Sequence, residues 1–256
     1  MGISYPPTGM TSASFALRYW ERRQEVAANN LANVSTDGFK GERAFARLVE
    51  GALPEIGAAT DLRAGPLTPT ESPLDLALAG DGFFVVRTPE GERYTRGGAL
   101  RFDDQHRLVD GGGNPLLGED GAIVALPGEL VPEQTDPGMP AATGGAGNAL
   151  LQIDRTGRVQ LAGRTVAQLR VERLAPGAQA THAGHNLFVP PAEGRLNVAL
   201  EDREVRQGML EGSNVNSVSA LVDMISIQRA YASVQKAVTT LDGIRGVLTN
   251  EIGKPS

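Results

Sequence analysis

The sequence predicts an α+β protein: long N- and C-terminal helices forming a coiled-coil-like domain, with a central antiparallel all-β domain between them. Three observations carry the prediction. Apolar residues recur in alternating steps of three and four at both ends of the chain. The middle switches to a period of two. Clusters of glycine, aspartate and asparagine punctuate that middle at short intervals, as tight turns require.

Met1 to Thr11 reads as an irregular arm, after which Thr11 or Ser12 is placed to cap a first helix. Ala13, Leu17, Trp20, Gln24, Ala27, Leu31 and Val34 form its apolar stripe, and the helix is expected to run to about Asn33. It ends in the run Asn29 to Lys40, rich in side chains that cap and turn backbone. There Gly38 is free to take positive φ, and Phe39 is placed to fold back as an apolar anchor.

Gly41 to Pro73 shows no sustained period and carries Pro54, Pro66, Pro69 and Pro73. A stretch of that length without structure of its own is uncommon inside a compact domain, so it is expected to be an extended arm that docks on something. From Leu74 to Val189 the β pattern takes over, with Leu74, Leu76 and Leu78 alternating, a compact apolar run from Phe83 to Arg87, and Val166, Leu169 and Val171 further on. Between Pro127 and Asn148, Pro, Gly and Ala are too frequent for a core strand, and a flexible insertion is expected near 128–148. Ala192 to Leu210 returns toward the last helix, which Ser213 or Ser217 is placed to cap.

The last helix, Ser217 to Thr249, carries Ala220, Met224, Ile227, Tyr231, Val234, Val238, Leu241 and Leu248 on one stripe, with Arg245 interrupting it. A helix of about thirty residues runs roughly 45 Å, more than one small core covers. Both stripes are thin: alanines and Gln24 stand where a tight dimer would place Leu or Ile, and no third long amphipathic segment completes a bundle. At about 1.5–3 kcal/mol for each large apolar side chain fully buried, such a seam is marginal alone and gains stability when many copies pack side by side. Gly243 and Gly246 each cost about 1 kcal/mol relative to Ala, so the last turns are expected to fray without a partner. The resulting organisation is a helix with its Asn-rich end over 1–40, an arm over 41–73, a β-domain over 74–191, and a return segment with the C-terminal helix over 192–256.

Three motifs in this order resemble a known family. Ala28-Asn29-Asn30-Leu31-Ala32-Asn33-Val34-Ser35-Thr36-Asp37-Gly38-Phe39-Lys40 is similar to the N-terminal signature of the bacterial flagellar rod, hook and hook-basal-body proteins. Gly80-Asp81-Gly82-Phe83-Phe84 followed by Tyr94-Thr95-Arg96 resembles the family's central motif. Leu210-Glu211-Gly212-Ser213-Asn214-Val215-Asn216 with Ile227-Gln228-Arg229-Ala230-Tyr231 resembles its C-terminal signature. Within the family, the short arm and Gln207 to Asn216 look more like the proximal-rod branch than the longer-armed distal-rod branch. The Pro- and Gly-rich stretch departs from the family pattern, in which the flanking β segments join more directly.

The resemblance implies an axial structural subunit whose helices form an inner tube and whose β-domain sits outside. The implied partners are copies of itself, other flagellar rod proteins and the flagellar type III export apparatus; the implied location is the periplasm-spanning rod of the basal body. Interface residues are expected on the helical stripes and the signature: Leu17, Trp20, Ala27, Asn30, Leu31, Asn33, Val34, Gly38, Phe39, Met224, Ile227, Gln228, Tyr231, Val234, Val238 and Leu241.

Composition narrows the other classes. The chain of 256 residues has a formal charge of -6, which argues against nucleic acid or an anionic membrane surface as partner. With no Cys, a disulfide framework, thiol catalysis and Cys-ligated zinc are excluded. No apolar run reaches the ~18 residues of a membrane span, so no membrane insertion is expected. No basic stretch followed by an apolar one opens the chain, so export without a cleavable signal is expected.

No catalytic constellation is legible, and neither a cofactor nor a metal is expected. Asp81, Asp103, Asp104, Asp110 and Asp120 stand in turn-like positions. His182 and His185 have metal-ligand spacing without a third ligand nearby. The alternatives to a rod subunit are a distal-rod or hook-type subunit of the same family, a soluble coiled-coil adaptor with a ligand-binding β-domain, and a β-domain enzyme acting on carbohydrate or peptidoglycan.

Overall fold

The computed structural model describes residues 9–49, 54–127, 151–184 and 186–252. The arm over 1–8, the insertion expected near 128–148, His185, the side chains of Arg245 and Leu248, and residues 253–256 lie outside the described residues. The chain forms two units. Met1–Val34, Gly41–Asp61 and Val215–Ser256 make the first, and Ser35–Lys40 with Leu62–Asn214 make the second.

The first unit holds α1 (Gly9–Ala32), β1 (Glu42–Arg47), β2 (Glu55–Thr60) and α2 (Ser217–Ile252). α1 packs along α2 and against β1, and Val26, Ala27, Ala220 and Ile227 are buried. The Tyr231 hydroxyl donates to the Glu21 carboxylate at 3.3 Å, tying the two helices near their middles. The terminal helices are therefore partners within one chain.

Local expectations change at three places. α1 is already helical at Gly9, ahead of Thr11 and Ser12, so neither caps it. α2 is capped by Asn216 rather than Ser213 or Ser217: its side-chain oxygen accepts the Ser219 N–H at 3.0 Å and its carbonyl accepts the Ala220 N–H at 2.9 Å. The stretch 41–73 is not wholly an extended arm, because β1 and β2 pair antiparallel from Glu42 with Thr60 to Arg47 with Glu55. Phe45 lies across Gly57, whose missing side chain leaves room for the ring.

The second unit is antiparallel throughout its strand pairs. β3 (Leu67–Pro69) and β4 (Leu76–Leu78) lead into the hairpin of β5 (Phe83–Thr88) and β6 (Gly91–Thr95), then the short pair β7 (Arg101–Phe102) and β8 (Leu108–Val109). β9 (Leu151–Ile153), β10 (Arg158–Leu161) and β11 (Arg164–Gln168) form a three-stranded sheet. β12 (Val171–Leu174), β13 (Thr181–Gly184), β14 (Leu187–Val189) and β15 (Arg195–Asn197) join β5 and β6 in a six-stranded sheet of order β13-β14-β6-β5-β12-β15. β16 (Val205–Gln207) returns to pair with β4, and β17 (Met209–Glu211) with β3.

The apolar run at the start of β5 follows from its place in that sheet. Phe84 and Val86 join the large core with Leu76, Leu108, Leu116, Leu169 and Val171. Phe83 and Val85 point the other way, into a smaller core with Tyr94, Leu117 and Phe188. A strand covered on both faces shows no polar alternation, which is why this segment reads as continuous.

Candidate subunit interface

α2 carries two apolar rows. Ala220, Met224, Ile227, Tyr231, Val234 and Val238 are the row that packs within the unit: Ala220 and Ile227 are buried and the others half-buried. A second row, at helical spacing of three, one and three, is Val218, Leu221, Val222 and Ile225. Their exposures are 71%, 51%, 60% and 44%, so the row meets solvent along the first two turns. Leu241 and Ile244 are exposed further along.

Each expected interface residue has a definite place. Leu17, Trp20, Leu31 and Val34 on the α1 side are half-buried; the Trp20 indole meets Tyr19 edge-on at 5.6 Å and carries the Arg23 guanidinium 5.0 Å above it. The Asn33 side chain donates to the Asn29 carbonyl one turn back at 2.9 Å. The Asn30 side chain donates to the Glu42 carbonyl and accepts the Glu42 N–H, which fixes where β1 begins. Gln228 is exposed.

Four of the expected residues are enclosed by their own unit. Ala27 and Ile227 are buried in the helical unit because α1 and α2 pack on one another. Phe39 is 1% exposed, with its ring 6.0 Å from that of His182. Gly38 has φ 70°, and a Cβ there would stand 2.4 Å from the Gly97 nitrogen, so only glycine fits. These four positions are packed beneath the surface of the unit that holds each of them.

The signature segments converge on a buried ion set that the sequence reading missed. The side chains of Lys40 and Glu211 are fully buried and paired, and Lys40 Nζ also donates to the Arg63 carbonyl at 2.8 Å. The same Glu211 carboxylate accepts Arg96 at 2.9 Å and the Gly65 N–H at 2.7 Å. Arg96 donates to the Leu78 and Gly80 carbonyls and lies over the Phe83 ring. The only sequence signal is that each of these three charges falls inside one of the motifs.

A second network spans the six-stranded sheet. Glu172 accepts the Tyr94 hydroxyl and both Arg170 and Arg195, while Glu92 accepts Arg170 and Arg195 from the other side. Burial pushes the Glu172 carboxyl up, but hydrogen bonds from Arg195, Tyr94 and Arg170 outweigh it and leave it below its ordinary value. Glu92 is held below its ordinary value chiefly by the hydrogen bond from Arg195. Burial, then Glu172, raises the Tyr94 hydroxyl, which remains protonated as the donor.

The acidic residues in turns act on their own backbone. Asp103 accepts the Gln105 and Arg107 N–H groups, Asp110 the Asn114 N–H, and Asp120 the Ala122 N–H. His182 Nδ1 accepts the Gly184 N–H, and its ring packs on Phe188. Among the described residues no group of three or more His, Asp or Glu is arranged to hold a metal ion, and no helix is long and apolar enough to cross a membrane.

Three family models match the chain. Residues 12–40 match "Flagella basal body rod protein", residues 77–161 "Flagellar hook protein FlgE/F/G D1 domain", and residues 206–251 "Flagellar basal body rod FlgEFG protein C-terminal". The chain is 32% identical over 250 residues to the flagellar basal-body rod protein FlgF of Caulobacter vibrioides, covering 91% of this chain and 93% of that protein. It is 33% identical to FlgF of Escherichia coli, covering 93% of this chain and 94% of that protein. It is 30% identical to FlgG of C. vibrioides, covering 85% of this chain and 89% of that protein.

Proposed function

The chain belongs to the flagellar basal-body rod protein family, and from that premise we propose that it enters the rod through the outward apolar row of α2. It is a structural subunit of the basal-body rod, not an enzyme, and it assembles with other rod proteins. The motif-level likeness to the proximal-rod branch before the distal one agrees with identities of 32% to FlgF and 30% to FlgG of the same organism, C. vibrioides.

In this reading the helical unit is the inner, coiled-coil-like domain and the β unit the outer one. The observation that carries it is the exposed row Val218, Leu221, Val222 and Ile225. At about 1.5–3 kcal/mol for each large apolar side chain fully buried, such a row contributes about as much as the ~4–15 kcal/mol that association costs, leaving little surplus. One contact is therefore weak, while a subunit touching several neighbours is held firmly. Contacts between copies or related chains that do not close by rotation build an axial helix. Leu17, Trp20, Leu31, Val34, Asn33, Gln228, Val234, Val238 and Leu241 flank these contacts.

The chain reaches the rod through the flagellar type III export apparatus and folds after transit. A body that needs no disulfide, in a chain with 0 Cys, supports this, as does a helical unit with few buried side chains.

The test is Val222→Asp as the only copy in a motile host, with export of the variant measured alongside. Normal export, an unchanged unfolding midpoint and lost motility are expected. Normal swimming would refute the role of the α2 row.

A further inference from the structure

We infer that Lys40, Glu211 and Arg96 form a latch that closes the segments 35–40 and 208–214 onto a β-body already complete without them, so that these segments release before the sheets unfold. Every buried side chain of the two hydrophobic cores lies between Leu76 and Val205. The six-stranded sheet is likewise built from strands between Phe83 and Asn197. Residues 35–40 add themselves to this body from the far end of the sequence, and Lys40 is 171 positions from its partner Glu211.

Beside the buried Phe39 ring, which packs near His182, the polar contacts that hold the two segments centre on one residue. The Glu211 carbonyl accepts the Gly38 N–H at 2.6 Å, and its carboxylate takes Lys40, Arg96 and the Gly65 N–H. The Phe39 carbonyl accepts the Asn214 N–H at 3.3 Å, and the Pro66 carbonyl accepts the Gly212 N–H at 2.8 Å. Lys40 brings in one segment and Glu211 the other, so a single carboxylate fastens both.

An ion set of this kind opens as a whole. An apolar contact weakens by degrees, but removing one partner from a buried pair leaves the other charged and dry, so a partly open arrangement is disfavoured. Fully open, all three groups regain water. The Arg96 Nε has no partner in the closed form, which leaves the guanidinium incompletely bonded there and favours opening. Breaking the set thus frees both segments together while the cores stay buried, a local unfolding unit distinct from the sheets.

Native-state amide hydrogen exchange on the full chain tests this. In the wild type, Gly38, Gly65, Gly212 and Asn214 amides are expected to exchange through an opening that exposes little surface, with a shallower denaturant dependence than the amides of β5 and β6. In Lys40→Met these same amides are expected to exchange at least about ten-fold faster while β5 and β6 keep wild-type rates. Equal acceleration of both sets, or no acceleration at Gly38 and Gly65, would overturn the latch. Should Lys40→Met not fold, the wild-type denaturant series decides: merging of the two sets on one isotherm overturns the proposal, and separation supports it.

Discussion

Asn30 holds Glu42 by both of that residue's backbone polar groups: its amide nitrogen donates to the carbonyl at 2.8 Å, and its amide oxygen accepts the N–H at 2.9 Å. A helix side chain thereby stands in for a neighbouring strand. Asn30→Leu leaves both groups unpaired at a part-buried site and is expected to cost about 1–3 kcal/mol; Asn30→Asp, which keeps the acceptor, should cost less. Denaturant unfolding followed by fluorescence checks this cleanly, because the single Trp of the sequence, Trp20, sits in the same unit. Asn29→Ala, at an exposed neighbour, serves as the control.

The cap of α2 gives a second prediction. Asn216→Ala should destabilise the helical unit by about 1 kcal/mol, and Ser217→Ala by almost nothing, since the Asn216 oxygen accepts the Ser219 N–H. Thermal melts by circular dichroism of the two variants distinguish them, and equal losses would mean the cap is misassigned.

The two rows of α2 should respond differently to the same substitution. Ile227 is 3% exposed, so Ile227→Asp places a charge without a partner in an apolar site and should unfold the helical unit at lower denaturant. Leu221→Asp, on the exposed row, should leave the Trp20 unfolding curve where it was. Identical shifts for both would show that the rows have been confused.

Positive φ with crowding is expected to be worse than positive φ alone. Gly38 and Gly208 have φ 70° and 74°, but a Cβ at Gly38 would stand 2.4 Å from the Gly97 nitrogen, whereas nothing lies within 4 Å of one at Gly208. Gly208→Ala should cost about 1–2 kcal/mol from conformation. Gly38→Ala should cost about 3 kcal/mol or more, because backbone must move as well. Unfolding midpoints compare them directly.

Acid sensitivity follows from Glu92 and Glu172, both held below the ordinary value of 4.5 in the folded chain. Carboxylates lowered on folding contribute stability that is present above the unfolded value and lost as pH falls through the folded one. Arg195→Met removes the leading hydrogen bond that lowers Glu92 and the leading opposing bond on Glu172. Its acid transition, followed by near-ultraviolet circular dichroism, should therefore move to higher pH. A transition unmoved from wild type would mean that the network does not govern acid stability.

The helical ends and the β middle were legible in the sequence because their periods differ and because a strand such as β5, covered on both faces, is apolar at successive positions. The inward stripe of α2 was legible as well, but the exposed row beside it was not. The row of Ala220 and Ile227 and the row of Val218, Leu221, Val222 and Ile225 both satisfy helical spacing, and only packing against α1 separates them. The β1–β2 hairpin was hidden by strands of small and charged residues, β1 largely exposed and β2 largely half-buried. The Lys40–Glu211 pair was hidden by distance along the chain, which no local pattern records.

Phe39 and Asn214 meet through one backbone hydrogen bond, at 3.3 Å, so two stretches far apart along the polypeptide run side by side within the second unit. A residue added to or taken from an exposed turn of that unit changes the length of the loop they close at little entropic cost.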